Sequence, residues 1–133
     1  MNIVRPRVYI AGAICPTNKG EHPLLEWGEN ENKFMKMDIR LRLAGFAPFN
    51  PALDYSLYFY GINLLSDSDF YEVSLAFLGQ CEAMIVLNGW ENSKGTKAEI
   101  EFCKEKGIPI FFEDKNGFRE LLKYFTMEGL YCG

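Results

Sequence analysis

Glu99 is the residue with the most chemistry gathered around it. It stands in "GWENSKGTKAEIEF", four residues after Gly95, where helical spacing begins. The turn before it holds Asn92, Ser93, Lys94 and Gly95, and follows the apolar run "AMIVL". A strand that passes through such a turn into a helix presents N–H groups with no intrahelical acceptor, at the positive end of the helix dipole. That cradle suits a phosphate or a sugar hydroxyl. Ser93 adds a hydroxyl, Gly95 lets the backbone approach closely, and Lys94 and Lys97 add positive charge. A plainer reading uses the same residues. Asn92, Ser93 or Thr96 caps the helix, Gly95 permits the turn, Trp90 packs in the core, and Glu99 and Glu101 complement the dipole. The residues alone leave the two readings level.

The elements that must position Glu99 follow from the pattern along the chain. "RVYIA", Arg7 to Ala11, is a short β-branched and aromatic strand stopped by Gly12. A loop with no periodicity follows. From Leu25 to Ala44 the spacing of Phe34, Met37, Leu41 and Ala44 predicts a helix, with Gly45 at its C-terminal cap. "FAPFNP" reads as a second strand ended by Pro51, and "DYSLYFYGINLL" as a packed loop or short helix covering a pocket. Ser66 or Ser68 caps a further helix whose Val73, Phe77 and Leu78 are expected to face the core. "AMIVLNG" is the clearest strand, "GTKAEIEFCKEKG" a helix closed by Gly107, "IPIFF" the last strand and "GFRELLKYF" the last helix.

Strands and helices therefore alternate, which predicts an α/β fold: a doubly wound, Rossmann-like parallel sheet of four to five strands flanked by helices. Ligands on such sheets sit beyond the carboxyl ends of the strands. The ends concerned are "YIAGAI" and "VLNGWENSKG", the latter adding Asn88, Gly89 and Trp90 to the candidate binding residues.

The 133 residues suit a single domain over 1–133 with a core of its own, at 48% apolar and 24% charged composition. A net charge of −4 argues against a nucleic-acid polymer as partner, but not against a small phosphorylated ligand. The four cysteines are scattered and His22 is the only histidine, so no metal site is expected. No leader and no run of the ~18–20 apolar residues that span a bilayer is visible. Free thiols then place the chain in a reducing cytoplasm, away from the membrane.

Taken together, "VYIAGAI", "FNPALDY" and "CEAMIVLNGWENSKGTKAEIEFCKEKGIPIF" resemble the nucleoside 2-deoxyribosyltransferase superfamily, and within it a branch of small phage and bacterial domains. The resemblance runs from Arg7 to Phe112. It implies a flavodoxin-like fold, no cofactor, and cleavage of the N-glycosidic bond of a nucleoside or nucleoside 5′-monophosphate. Glu99 matches the carboxylate that attacks the anomeric carbon, and Tyr9 the tyrosine that orients it. Ser93 matches a serine that holds a 5′-phosphate in related nucleotide hydrolases, and Gly12, Ala13 and Ile14 the loop along the sugar or phosphate. The resemblance further implies a homodimer or larger homo-oligomer. One position departs from the pattern. Where many members carry an Asp that positions substrate and handles protons at the base, this chain has Ser74, with Asp67, Asp69 and Glu72 nearby. That departure implies an altered substrate, slow hydrolysis, or a module that binds nucleotide without turnover.

Other chemistry is weighed on the residues themselves. Cys15, in the loop after the first strand, is a candidate thiol nucleophile with only His22 near it as a base. His22 reads better as a surface residue. The aromatic run Tyr55, Tyr58, Phe59, Tyr60 suits stacking on a nucleobase, a core position or a subunit contact. The terminal "MEGLYCG" is apolar enough to lie at such a contact.

Overall fold

A computed structural model describes residues 4–15, 23–57 and 64–127. Four strands, β1 (Arg7–Ala11), β2 (Ala47–Phe49), β3 (Ala83–Val86) and β4 (Ile110–Phe112), form one sheet in the order β2-β1-β3-β4. Every pairing is parallel. Among the described residues four helices flank it: α1 (Pro23–Leu43), α2 (Asp67–Leu78), α3 (Lys94–Lys106) and α4 (Gly117–Met127). The expected α/β fold with a parallel sheet is what the chain adopts, in an arrangement consistent with the flavodoxin-like class.

The pleat of β1 divides the core in two. Val8 and Ile10 point to one face, where Phe34, Met37 and Leu41 of α1 and Leu121 and Phe125 of α4 cover them. Tyr9 and Ala11 point to the other, against Leu78 of α2 and Ile100 and Cys103 of α3. A strand covered on both faces must be apolar throughout, which is why "VYIA" shows no alternation. Because β1 and β3 are neighbours while the chain runs outward from them to β2 and β4, the sheet order reverses between them. A crevice opens there at the strand carboxyl ends. No helix among the described residues is long and apolar enough to cross a membrane.

Helix α2 is phased differently from the expectation. Phe70, Ser74 and Leu78 form its buried stripe, while Val73 and Phe77 are 46% and 51% exposed. Counting apolar residues misses this phase because the inward stripe contains a serine. Ser66, not Ser68, is the cap: its hydroxyl accepts from the Asp69 N–H while the Asp69 carboxylate accepts from the Ser66 N–H. The segment after β2 begins as a 3-10 turn over Pro51–Leu57. Tyr58, Phe59, Tyr60, His22 and the terminal run from Glu128 lie outside the described residues, so the readings made for them stand as expectations.

Candidate active site

The crevice holds a cavity of about 620 Å3, within the range of small-ligand sites. Its floor is the contact between Tyr9 and Glu99. Tyr9 reaches it because odd-numbered residues of β1 face α3, and Glu99 because it lies in the second turn of α3. The Tyr9 phenol donates a hydrogen bond to Glu99 Oε2. Tyr9 is fully buried and Glu99 only 8% exposed.

Burial disfavours the charged carboxylate and pushes the Glu99 pKa up to about 7, and the Tyr9 hydrogen bond, which favours that charge, only partly offsets it. Tyr9 is pushed well above the ordinary phenol range, first by burial and then by the Glu99 charge and hydrogen bond. Ser74, on the facing side of α2, acts on the same phenol in the opposite sense. Tyr71, half-buried on α2, is pushed up by burial and then by the Glu99 charge. Burial, then that charge, also drives Cys103 to about 12, so this thiol stays protonated.

The rim opposite is the start of α3. Ser93 is its cap: its Oγ accepts from the Thr96 N–H at 3.2 Å and from the Thr96 hydroxyl at 2.9 Å. The Ser93 proton is still free to be donated. By helix geometry the N–H groups of Lys94 and Gly95 have no intrahelical acceptor. The first turn carries no acidic residue that would cancel its dipole. Capping and cradling are thus compatible roles of one serine. Gly95 is not needed for the turn, since it is absent from the positive-φ glycines, and a Cβ there would meet nothing within 4 Å.

Of the residues singled out in the sequence, Tyr9, Gly12, Ala13, Ile14, Ser74, Asn92, Ser93, Gly95 and Glu99 line this one cavity. Asn88, Gly89 and Trp90 do not. The Asn88 N–H donates to Glu113 Oε1 at 2.9 Å, Gly89 turns the chain at φ 87°, and Trp90 packs on Phe112 with ring centroids 5.6 Å apart. They shape the turn that carries the rim. Lys94 lines the cavity and Lys97 does not. Among the three acids near Ser74, Asp67 lines the cavity, Asp69 closes the α2 cap, and Glu72 lies outside. Exposed Cys15 is also on the wall. Phe70, Tyr71 and buried Thr96 line the cavity without having been marked as ligand contacts. The first two follow once α2 is phased from Ser66, because Asp67, Phe70, Tyr71 and Ser74 then share one face.

The chain matches a family model described as a domain of unknown function, DUF4406, over residues 6–112. No curated protein matches it. The matched span covers most of the chain and includes every residue that lines the cavity, and the chain belongs to the DUF4406 family.

Proposed function

We propose that this protein cleaves or transfers at the N-glycosidic bond of a nucleoside 5′-monophosphate or nucleoside, with Glu99 as the reacting carboxylate. The observation that carries the reading is the buried Tyr9–Glu99 pair at the floor of a cavity whose rim is an anion-suited helix start. The resemblance to nucleoside 2-deoxyribosyltransferases supports the same reading.

In the proposed reaction the phosphate or 5′-hydroxyl lies against Ser93 and the Lys94 and Gly95 N–H groups. The anomeric carbon then faces Glu99. The ionised carboxylate attacks that carbon and a C–O bond forms. The C–N bond breaks with its electron pair going to the base, which takes up a proton. That proton comes from solvent, and Asp67 is a wall carboxylate that could relay it. Water, or the nitrogen of a second base, then attacks the same carbon and loses a proton to solvent, while the C–O bond to Glu99 breaks with its electron pair returning to the carboxylate. Tyr9 holds Glu99 in one orientation and stabilises its charge, so the burial that raises its pKa also strips it of water.

The test is chromatography of free base, free sugar and sugar 5-phosphate after incubation with a panel of nucleosides and 5′-monophosphates. Base and sugar 5-phosphate released in equal amounts from monophosphates, in preference to base and sugar from nucleosides, is the expected result. A neutral Ser74 beside Tyr9 favours a second reading, nucleotide binding without turnover. Tight binding with no base released from any panel member would establish that reading instead.

Gly95 gives a separate check on the rim. Gly95→Ala is expected to stabilise the fold by about 0.4–1 kcal/mol, since the helix gains alanine at an unstrained position. The added methyl stands where the ligand approaches, so monophosphate affinity is expected to fall on the order of tenfold. Thermal unfolding and a binding titration read both. Unchanged affinity with a raised Tm would remove Gly95 from the ligand surface.

A further inference from the structure

Outside the cavity, α1 and the end of β2 share a buried polar contact. Asp38 and Asn50 are 5% and 4% exposed. The Asn50 Nδ2 donates to Asp38 Oδ2 at 3.0 Å and to Met35 Sδ at 3.5 Å. Its Oδ1 accepts from the Ala52 N–H at 3.0 Å. The other Asp38 oxygen accepts from Arg42 Nε. Asparagine alone among short side chains has both an amide donor pair and an acceptor, so it suits a position that must do both. Two buried polar groups cost more than an apolar pair of the same volume would, unless their hydrogen bonds are met.

The turn they fix reaches the site on both sides. Before Asn50, the Phe49 ring stacks on Tyr9 with centroids 5.3 Å apart and planes 22° from parallel. After it, Pro51 lines the cavity. Neither Asp38 nor Asn50 lines it themselves.

We propose that Asp38 and Asn50 are a positioning pair for the site: they lock the turn after β2 and thereby seat Phe49 against Tyr9 and Pro51 in the ligand wall. The significance for turnover rests on Glu99 being the working carboxylate, but the positioning itself can be read without any turnover. The experiment follows the Glu99 carboxyl by carbon-detected NMR titration in wild type, Asn50→Ala and Asp38→Asn, with thermal unfolding alongside. In Asn50→Ala the Phe49–Tyr9 contact loosens, Tyr9 donates less well, and the Glu99 midpoint is expected to rise by at least about 0.5 pH unit. Asp38→Asn keeps an oxygen for the Asn50 amide, so its midpoint is expected to stay with wild type even though its Tm falls with the loss of the Arg42 pair. Asn50→Ser keeps an acceptor near Ala52 but cannot reach Asp38, and carries the same expectation as Asn50→Ala should that variant not fold. An unmoved midpoint in the folded Asn50 variant would overturn the proposal. So would midpoints that shift in both positions in proportion to lost Tm, which is the mark of a purely structural role. A wild type that releases no base would leave these midpoints untouched, so failure of the proposed reaction and failure of the positioning pair are distinguishable.

Discussion

Replacing Glu99 with glutamine is expected to abolish base release and at the same time to make the protein more stable. The loss of activity follows from the proposed role, because an amide is no nucleophile toward an anomeric carbon. A fall of at least about a thousandfold is expected on chemical grounds. The gain in stability follows from burial. A carboxyl whose pKa is raised to about 7 in the folded chain binds its proton more tightly there than in the unfolded chain. Below the ordinary carboxyl pKa both states are protonated and Glu99 costs nothing. As the pH rises the unfolded chain ionises first, so wild-type stability declines and levels off once the folded carboxyl has also ionised near 7. The shift corresponds to about 3 kcal/mol across that window. Glutamine has no such titration and still accepts from Tyr9. Glu99→Gln is therefore expected to unfold at a clearly higher temperature than wild type at about pH 8 and to converge with it near pH 4. Thermal unfolding at several pH values measures this. Equal stability at every pH would show that the carboxyl is not desolvated as described.

Tyr9→Phe is expected to have the second largest effect, in rate and in pH dependence together. The ring keeps its place against Phe49, so the fold should hold. What disappears is one hydrogen bond to a buried carboxylate. A hydrogen bond to a charged group is worth about 1.5–3 kcal/mol, which corresponds to a rate loss of roughly 10–100-fold if it is expressed in the transition state. Its loss also removes the hydrogen bond that holds the Glu99 pKa down against burial. Base release in wild type should rise with pH through an acidic limb centred near 7, the point at which Glu99 ionises. In Tyr9→Phe that limb should lie higher. A slower enzyme with an unmoved limb would mean that Tyr9 helps by shape and not by tuning Glu99.

Much of the fold was legible because a doubly covered strand is so constrained. "VYIA" and "AMIV" must be apolar on both faces, and they emerged at their observed positions. Helix α3 was bounded by Gly95 and Gly107, and the latter does hold the left-handed conformation at its end. The cavity floor was legible for a different reason. A carboxylate placed one turn into a helix that follows a strand must lie near the crevice, and a tyrosine on the central strand can reach it. Helix α2 was less legible. Its inward face carries the buried Ser74, and a hydrophobic count reads that face as exposed. Asn88, Gly89 and Trp90 stand outside the cavity lining, which the sequence could not tell for a related reason. A turn that supports a rim and a turn that is the rim have the same composition, and only geometry separates them. The Asp38–Asn50 contact was invisible, because nothing in the sequence pairs a helix carboxylate with an amide twelve residues on.

The most direct measurement compares base release by wild type and Glu99→Gln on the same panel of nucleosides and 5′-monophosphates, with unfolding curves taken on the same samples. The expected result is base released by wild type, none above background from a Glu99→Gln protein that is folded and more stable at alkaline pH, and monophosphate binding retained by both. Base release by Glu99→Gln at the wild-type rate would contradict the central claim.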